Sequence, residues 1–274
     1  MTEAQSPARS PLQSPETWDA VAPAYQDTIR RYFFQYADEI VRLADLKSTD
    51  HVLDIAAGPG TVALRVAPRV TRVDAIDFST GMIAQLNKSA KQANLSNTTG
   101  QVMDATALGF TDASFDVAFC VFGFMFFPDR AKAFREMRRV LRPGGRALIA
   151  TWGPIADRPM MKLGFDALAE AMPELPAPTK GDLQTEQDCL REMREAGFSD
   201  LQTKLFTASA HIDSAATYVD FMERGGAPFA ALRKKLGEEK WKVAHKRFFA
   251  AVEKRIPKRG IDLSALSIIS TGRA

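Results

Sequence analysis

From about residue 50 onward, short apolar runs alternate with longer stretches in which apolar residues return every three or four positions. Val52 to Ile55, Arg72 to Asp77, Thr98 to Asp104, Val117 to Cys120 and Arg146 to Trp152 have the length and content of buried strands. Between them, Val62 to Ala67, Ser79 to about Gln92 and Asp129 to Leu141 carry the helical period. Ser79 or Thr80 can cap the second of these helices, and Pro143-Gly144-Gly145 is a stop signal for the third. Strand and helix in regular alternation predict an α/β fold with a doubly wound, mostly parallel sheet. Upstream, Trp18 to about Leu46 reads as helix with clustered aromatic residues, whereas residues 1–16, with Ser-Pro three times, predict a disordered tail.

Downstream, Pro154 to Leu175 predicts a loop and a helix containing Met160, Met161 and Phe165, and Pro173 to Lys180 a proline-rich loop. A helix from about Thr185 to Ala196 ends at Gly197, Leu201 to Ile212 is a sixth strand, and Asp213 or Ser214 caps the next helix. Residues 231–259 alternate Lys, Arg and Glu with apolar positions, the pattern of a solvated helical lid, before a last strand from Leu263 to Thr271. No repeat divides the chain, so residues 17–274 are expected to form one domain, with a ligand-binding core at 17–152 and a second part at 153–274.

The first strand breaks at Gly58-Pro59-Gly60-Thr61, directly before a helix. Strand, glycine turn and helix make a cradle in which backbone N–H groups meet an anionic or nucleotide ligand. Asp77 ends the second strand about 17 residues after Gly60, near the ~20-residue spacing of an acid that binds ribose hydroxyls. Gly58 to Ala63 also reads as G-x-G-x-x-A, so a nicotinamide dinucleotide competes for the same site. Asp54 argues otherwise: an acid inside an apolar strand is unfavourable without a partner, and it suits a cationic ligand.

Charge and cysteine content narrow the class. A net charge of +3 is too small to imply nucleic acid by itself. Cys120 and Cys189 match no metal spacing, so no metal is expected, and a reducing, cytoplasmic location is the simplest reading. No apolar run reaches the ~18 residues of a membrane span.

Val52-Leu53-Asp54-Ile55-Ala56-Ala57-Gly58-Pro59-Gly60-Thr61 resembles motif I of the class I S-adenosylmethionine-dependent methyltransferases, with Ala56 where that family usually has Gly. Trp18 to Tyr25 is similar to the opening W-D-x-x-A-x-x-Y segment of the ubiquinone- and menaquinone-type members. Leu108 to Val117 and Arg139 to Trp152 are similar to two further family runs, so the resemblance covers about Trp18 to Trp152. It implies a Rossmann-like, seven-stranded sheet whose last strand is antiparallel, with the helical lid inserted between strands six and seven.

It also implies S-adenosylmethionine as cofactor and a set of ligands for it. Asp54, Ala56, Gly58 and Gly60 would form the cradle, Asp77 would take the ribose, and Phe78 and Met82 would flank the adenine. Asp104 and Ala105 would meet the adenine amino edge, with Tyr25 and Cys120 nearby. Asp104 can equally cap a turn. The acceptor is expected to be a small, largely apolar molecule, not nucleic acid, held by Tyr25, Phe122, Phe124, Met160 and Met161, while Phe126 and Phe127 pack the core. His211, at the end of strand six, is the candidate general base. Phe122-Gly123-Phe124, Phe127-Pro128-Asp129 and Ile269-Ser270-Thr271-Gly272 are also similar to fungal enzymes that S-methylate epidithiodiketopiperazine dithiols, so O-, S- and C-methylation all stay open. The alternatives are a nicotinamide-dependent oxidoreductase and a noncatalytic adenosylmethionine-binding regulator.

Overall fold

The computed structural model describes residues 10–25, 27–175 and 183–274. Seven strands form one sheet: β1 (His51–Ile55), β2 (Arg72–Asp77), β3 (Thr98–Val102), β4 (Phe115–Val121), β5 (Leu141–Trp152), β6 (Ser199–Ile212) and β7 (Ile261–Arg273). Their order is β3-β2-β1-β4-β5-β7-β6. The first five are parallel, and β7 runs antiparallel to both β5 and β6. The chain winds outward from β1 in one direction and then from β4 in the other. That reversal opens a crevice outside the carboxyl ends of β1 and β4, where such sheets bind ligands.

Both faces of the sheet are covered, which is why residues 117–121 of β4 and 147–150 of β5 are apolar without interruption. Side chains alternate between two cores. Val117 and Phe119 of β4 face one, while Phe115, Ala118 and Cys120 face the other. The first core is closed by α2 (Ile29–Leu43), α6 (Pro159–Ala171), α8 (Ala215–Gly225) and α10 (Glu238–Glu253), through Tyr36, Met160, Tyr218 and Phe248. The second is closed by α5 (Arg130–Val140) and α7 (Glu186–Glu195), through Phe134, Met137, Cys189 and Met193.

Local signals set most boundaries. Ser79 caps α4 (Thr80–Gln92) by accepting from the N–H of Met82, Asp129 caps α5, Thr185 caps α7 and Ser214 caps α8. After the glycine turn, α3 (Ala63–Val66) is only four residues long. The Pro143-Gly144-Gly145 stop falls inside β5, because α5 already ends at Val140 and Leu141 pairs beside Phe115. The helical run expected from Trp18 to Leu46 is two helices, α1 (Pro15–Tyr25) and α2.

Of the tail expected at 1–16, residues 1–9 lie outside the described residues. Residues 10–16 are structured: Pro11–Gln13 makes a 3-10 turn and Pro15 begins α1. Thr17 and Trp18 fasten this turn by donating to the carbonyls of Pro11 and Leu12. Most of the proline-rich loop at 173–180 also lies outside the described residues. Between β6 and β7 stand α8, α9 (Ala227–Leu236) and α10, at the chain position expected for the helical insertion.

Candidate active site

The end of β1 and the turn after it are shaped by two acids. Asp54 accepts from the N–H of Ala63 at 2.9 Å, tying the strand to the first turn of α3. Asp77 accepts from Gly58 N–H with one oxygen and from Ser79 N–H with the other, both at 2.9 Å, so the end of β2 holds the glycine turn in place. Both carboxylates are buried, and burial pushes Asp54 up to about 7 and Asp77 up to about 6. Neither has a cationic partner among the described residues. Two desolvated acids left without a counter-charge suit a ligand that brings positive charge and hydroxyl donors.

The backbone here is strained. Ala56 and Phe122 both sit in the left-handed region, at φ 55° and 59°. The Ala56 methyl group is accommodated by Gly123, since a Cβ at that glycine would stand 2.6 Å from it. Gly60, at φ 86°, is needed for the turn and for packing, because a Cβ there would meet Leu64 and Leu86 at 3.0 Å.

A cavity of about 450 Å³ runs from this turn along the carboxyl ends of β1, β2, β4 and β5. Of the residues expected to hold the donor, Tyr25, Asp54, Ala56, Gly58, Asp77, Phe78, Met82, Asp104 and Ala105 line one end. Gly60 and Cys120 do not line it. Cys120 is fully buried in the core beneath Gly123, and burial pushes its thiol well up. Asp104 lines the cavity while also accepting from the N–H and hydroxyl of Thr106, so the turn-capping arrangement is present as well.

The other end is aromatic. Phe122 stacks on Trp152 with ring centres 3.9 Å apart, and Phe33 meets Phe122 edge to face at 5.0 Å. Tyr32, Met161, Phe165 and Phe221 complete this wall, and Met222 and Phe229 reach the cavity from the helical insertion. Among the described lining residues this end carries the phenol of Tyr32, and the donor end that of Tyr25; burial pushes both up.

Three expectations fail here. Phe124 is buried against Phe134, rings 3.8 Å apart, while Phe126 and Phe127 line the cavity. The 3-10 turn at Phe124–Phe126 reverses their roles by rotating Phe124 into the core below. Met160 is fully buried under Tyr218, leaving its neighbour Met161 on the wall. His211 does not project toward the crevice: its side chain is 52% exposed and its Nδ1 lies 2.8 Å from Asp262 on β7. β6 is the edge strand, and its end lies away from the cavity.

Apolar periodicity also gives no hint of the part played by α1. Asp19 accepts from Gly81 N–H at 2.8 Å and from the Ser79 hydroxyl at 2.6 Å, laying α1 across the start of α4. Trp18 thereby reaches the cavity and meets Phe126 at 5.2 Å. A sequence signal existed, since Trp18-Asp19 stands in the same run as Tyr25. A second concavity, beside Arg146 and Arg273, lies away from this crevice, and Arg146 there pairs with Asp50.

Residues 52–145 match the family described as Methyltransferase domain. A ubiquinone/menaquinone biosynthesis C-methyltransferase of Zymomonas mobilis is 36% identical over 111 residues, covering 40% of this chain and 46% of that protein. A demethylmenaquinone methyltransferase of Deinococcus radiodurans is 35% identical over 151 residues, covering 52% and 61%. The chain thus spans about half the length of the curated relatives it matches. The crystal structure of YcgJ from Bacillus subtilis shares the fold, with a TM-score of 0.59 at 20% identity over 86% of this chain and 97% of that one. S-adenosylmethionine is the methyl donor of this class, and two buried acids that hold backbone N–H groups of the glycine turn but have no cationic partner among the described residues are a donor set that fits it. In motif I, in the β3-β2-β1-β4-β5-β7-β6 sheet and over the matched segment at residues 52–145, the chain is similar to the class I S-adenosylmethionine-dependent methyltransferases, among them those of ubiquinone and menaquinone biosynthesis.

Proposed function

We propose that the protein transfers a methyl group from S-adenosylmethionine to a small, largely apolar molecule, in the cytoplasm. The observation that carries this reading is the single cavity joining the acid-bearing glycine turn to an aromatic wall. When bound, S-adenosylmethionine supplies an electrophilic methyl group on a sulfonium. Asp77 holds the ribose hydroxyls, Phe78 and Met82 flank the adenine, Asp104 takes its amino group, and Asp54 balances the ligand's positive charge. Ala56 and Gly58 bring the backbone close to the ligand, and Tyr25 covers it.

Acceptor binding falls to Phe122, Trp152, Met161 and Tyr25, together with Phe126. The insertion α8–α10 acts as a lid that excludes water. No carboxylate, imidazole or amine lines the aromatic end among the described residues. The chain therefore works by aligning an acceptor that is already nucleophilic, a contribution of position rather than of proton removal. An electron-rich aromatic carbon, a thiolate and an acidic phenol all meet that condition. Carbon gains support from the Zymomonas mobilis relative, which is named a C-methyltransferase.

Calorimetry should detect binding of S-adenosylmethionine and no binding of NADH, and labelled donor should then mark members of a panel of quinols, phenols and thiols. Turnover on tRNA or intact protein, with none on the panel, would overturn the assignment of the acceptor. Binding without any turnover would favour a regulator.

A further inference from the structure

The helical insertion concentrates positive charge. Of the chain's 36 Lys and Arg, eleven fall in residues 231–259, against three of its 33 Asp and Glu. That stretch therefore carries +8, while the rest of the chain carries −5. Arg233, Lys242, Lys254 and Arg255 are neutralised by Glu238, Glu239 and Glu170. Lys235, Lys240, Lys246 and Arg247 are exposed and make no ion pair among the described residues.

Of these, Lys246 and Arg247 stand on α10, with Lys240 at its start and Lys235 at the end of α9. Trp241, Ala244, Phe248 and Ala251 face the core, so the opposite side presents Lys242, Val243, Lys246 and Arg247 on successive turns. Val243 is 52% exposed, an apolar side chain standing among cations. The same insertion roofs the cavity: Phe229 lines it near the start of α9, and Arg233-Lys234-Lys235 ends that helix.

We propose that the α9–α10 face is a peripheral docking surface for an anionic lipid bilayer. Clustered Lys and Arg are drawn to acidic headgroups, and an apolar residue between them can enter the interface. The arrangement fits RNA less well. Single-stranded RNA is gripped by stacking on exposed aromatic rings, and Trp241 and Phe248 are both turned inward. Docking here sets the aromatic cavity beside the phase in which apolar compounds dissolve. The docking itself does not depend on methyl transfer, and its test reads no turnover.

The full chain is mixed with vesicles of phosphatidylcholine alone or with phosphatidylglycerol, and bound protein is separated by flotation. Binding is expected to vesicles containing phosphatidylglycerol at about 0.1 M salt, and release at about 1 M, where the screening length falls from about 10 Å to about 3 Å. Lys246→Glu with Arg247→Glu should reduce partitioning at least about tenfold, each basic residue near the surface being worth roughly a fivefold factor. A thermal melt verifies that this variant is folded. If it is not, Lys240→Glu serves in its place, expected to give roughly a fivefold loss or more. Absence of binding at low salt, equal binding to phosphatidylcholine alone, or binding that salt does not weaken would overturn the proposal. So would binding of an oligoribonucleotide by this face in the absence of any vesicle binding.

Discussion

Replacing Asp54 by Asn isolates the consequence of burying an acid beneath the glycine turn. Asp54 is 1% exposed, and burial raises it from an ordinary carboxylate to about 7. A carboxyl that binds its proton more tightly when folded stabilises the fold at low pH, and that stability is lost as pH rises from the unfolded value through the folded one. The window is therefore about pH 4 to 7. The wild type should lose about 2 kcal/mol through this group by pH 5 and about 4 kcal/mol by pH 8, at 1.36 kcal/mol per pH unit. Asn does not titrate, and its carbonyl can keep the bond from Ala63 N–H. Its new N–H₂ group can introduce a penalty of ~1–3 kcal/mol if left unpaired, but that penalty is the same at both pH values. The pH dependence is thus the decisive quantity. Urea unfolding of both proteins should show the variant gaining ~2–3 kcal/mol on the wild type between pH 5 and pH 8. Asp77 titrates in both proteins and cancels to first order. Over the same range, calorimetry should show S-adenosylmethionine binding more tightly to the wild type as pH rises, and at least about tenfold more weakly to the variant. A stability difference that is flat with pH would refute the buried-charge account.

Ala56→Gly should leave stability unchanged or raise the melting temperature slightly, because escape from the left-handed region gains ~1–2 kcal/mol and glycine's chain entropy costs ~0.5–1 kcal/mol; a clear fall in melting temperature would count against strain at this residue. Asp77→Ala should weaken S-adenosylmethionine binding by about 1.5–3 kcal/mol with circular dichroism intact, and unchanged affinity would remove it from the donor site. Phe124→Ala should destabilise the protein by about 3–5 kcal/mol through its lost contact with Phe134, whereas Phe126→Ala should spare stability and raise the acceptor's KM; the opposite pairing would restore the order that the sequence alone suggests.

The donor end was legible because its signals are local. A glycine turn, an acid at the end of the next strand and a capping serine each occupy a short window, and the sheet order follows from strand and helix alternation. The acceptor end was less so. Phe122, Phe124, Phe126 and Phe127 lie within six consecutive residues, and their sides are decided by a single 3-10 turn that apolar periodicity does not announce. Met160 and Met161 differ by one position on α6, a rotation of about 100°, so small errors in phase exchange wall for core. His211 failed for a different reason. Its exposure depends on β6 being the outermost strand, a property of the whole sheet. Residues 10–18 lacked an apolar run of their own. They are ordered by Thr17 and Trp18 donating back to the carbonyls of Pro11 and Leu12, and by the docking of the rest of α1 on partners about 60 residues or more away, Asp19 with Ser79 and Gly81, and Val21 and Ala22 with Met82 and Ala227.

That cluster joins the two ends of the cavity. α1 packs on α4, whose Met82 stands at the donor end, and also on α8 and α9, which carry Phe221, Met222 and Phe229 at the acceptor end. Ala227 belongs both to the cluster with Val21 and Met82 and to the cavity wall. A displacement of α1 must therefore disturb both ends together, since Trp18 and Tyr25 project from the same helix that Asp19 latches to Gly81. Asp19 lies outside the cavity lining, and the Ser79 hydroxyl and the N–H of Gly81 hold it as a carboxylate, below its ordinary range despite partial burial. The N-terminal helix is thus fastened by hydrogen bonds to one half of the fold and by apolar contacts to the other. α1 is the packed element that touches both ends of the cavity.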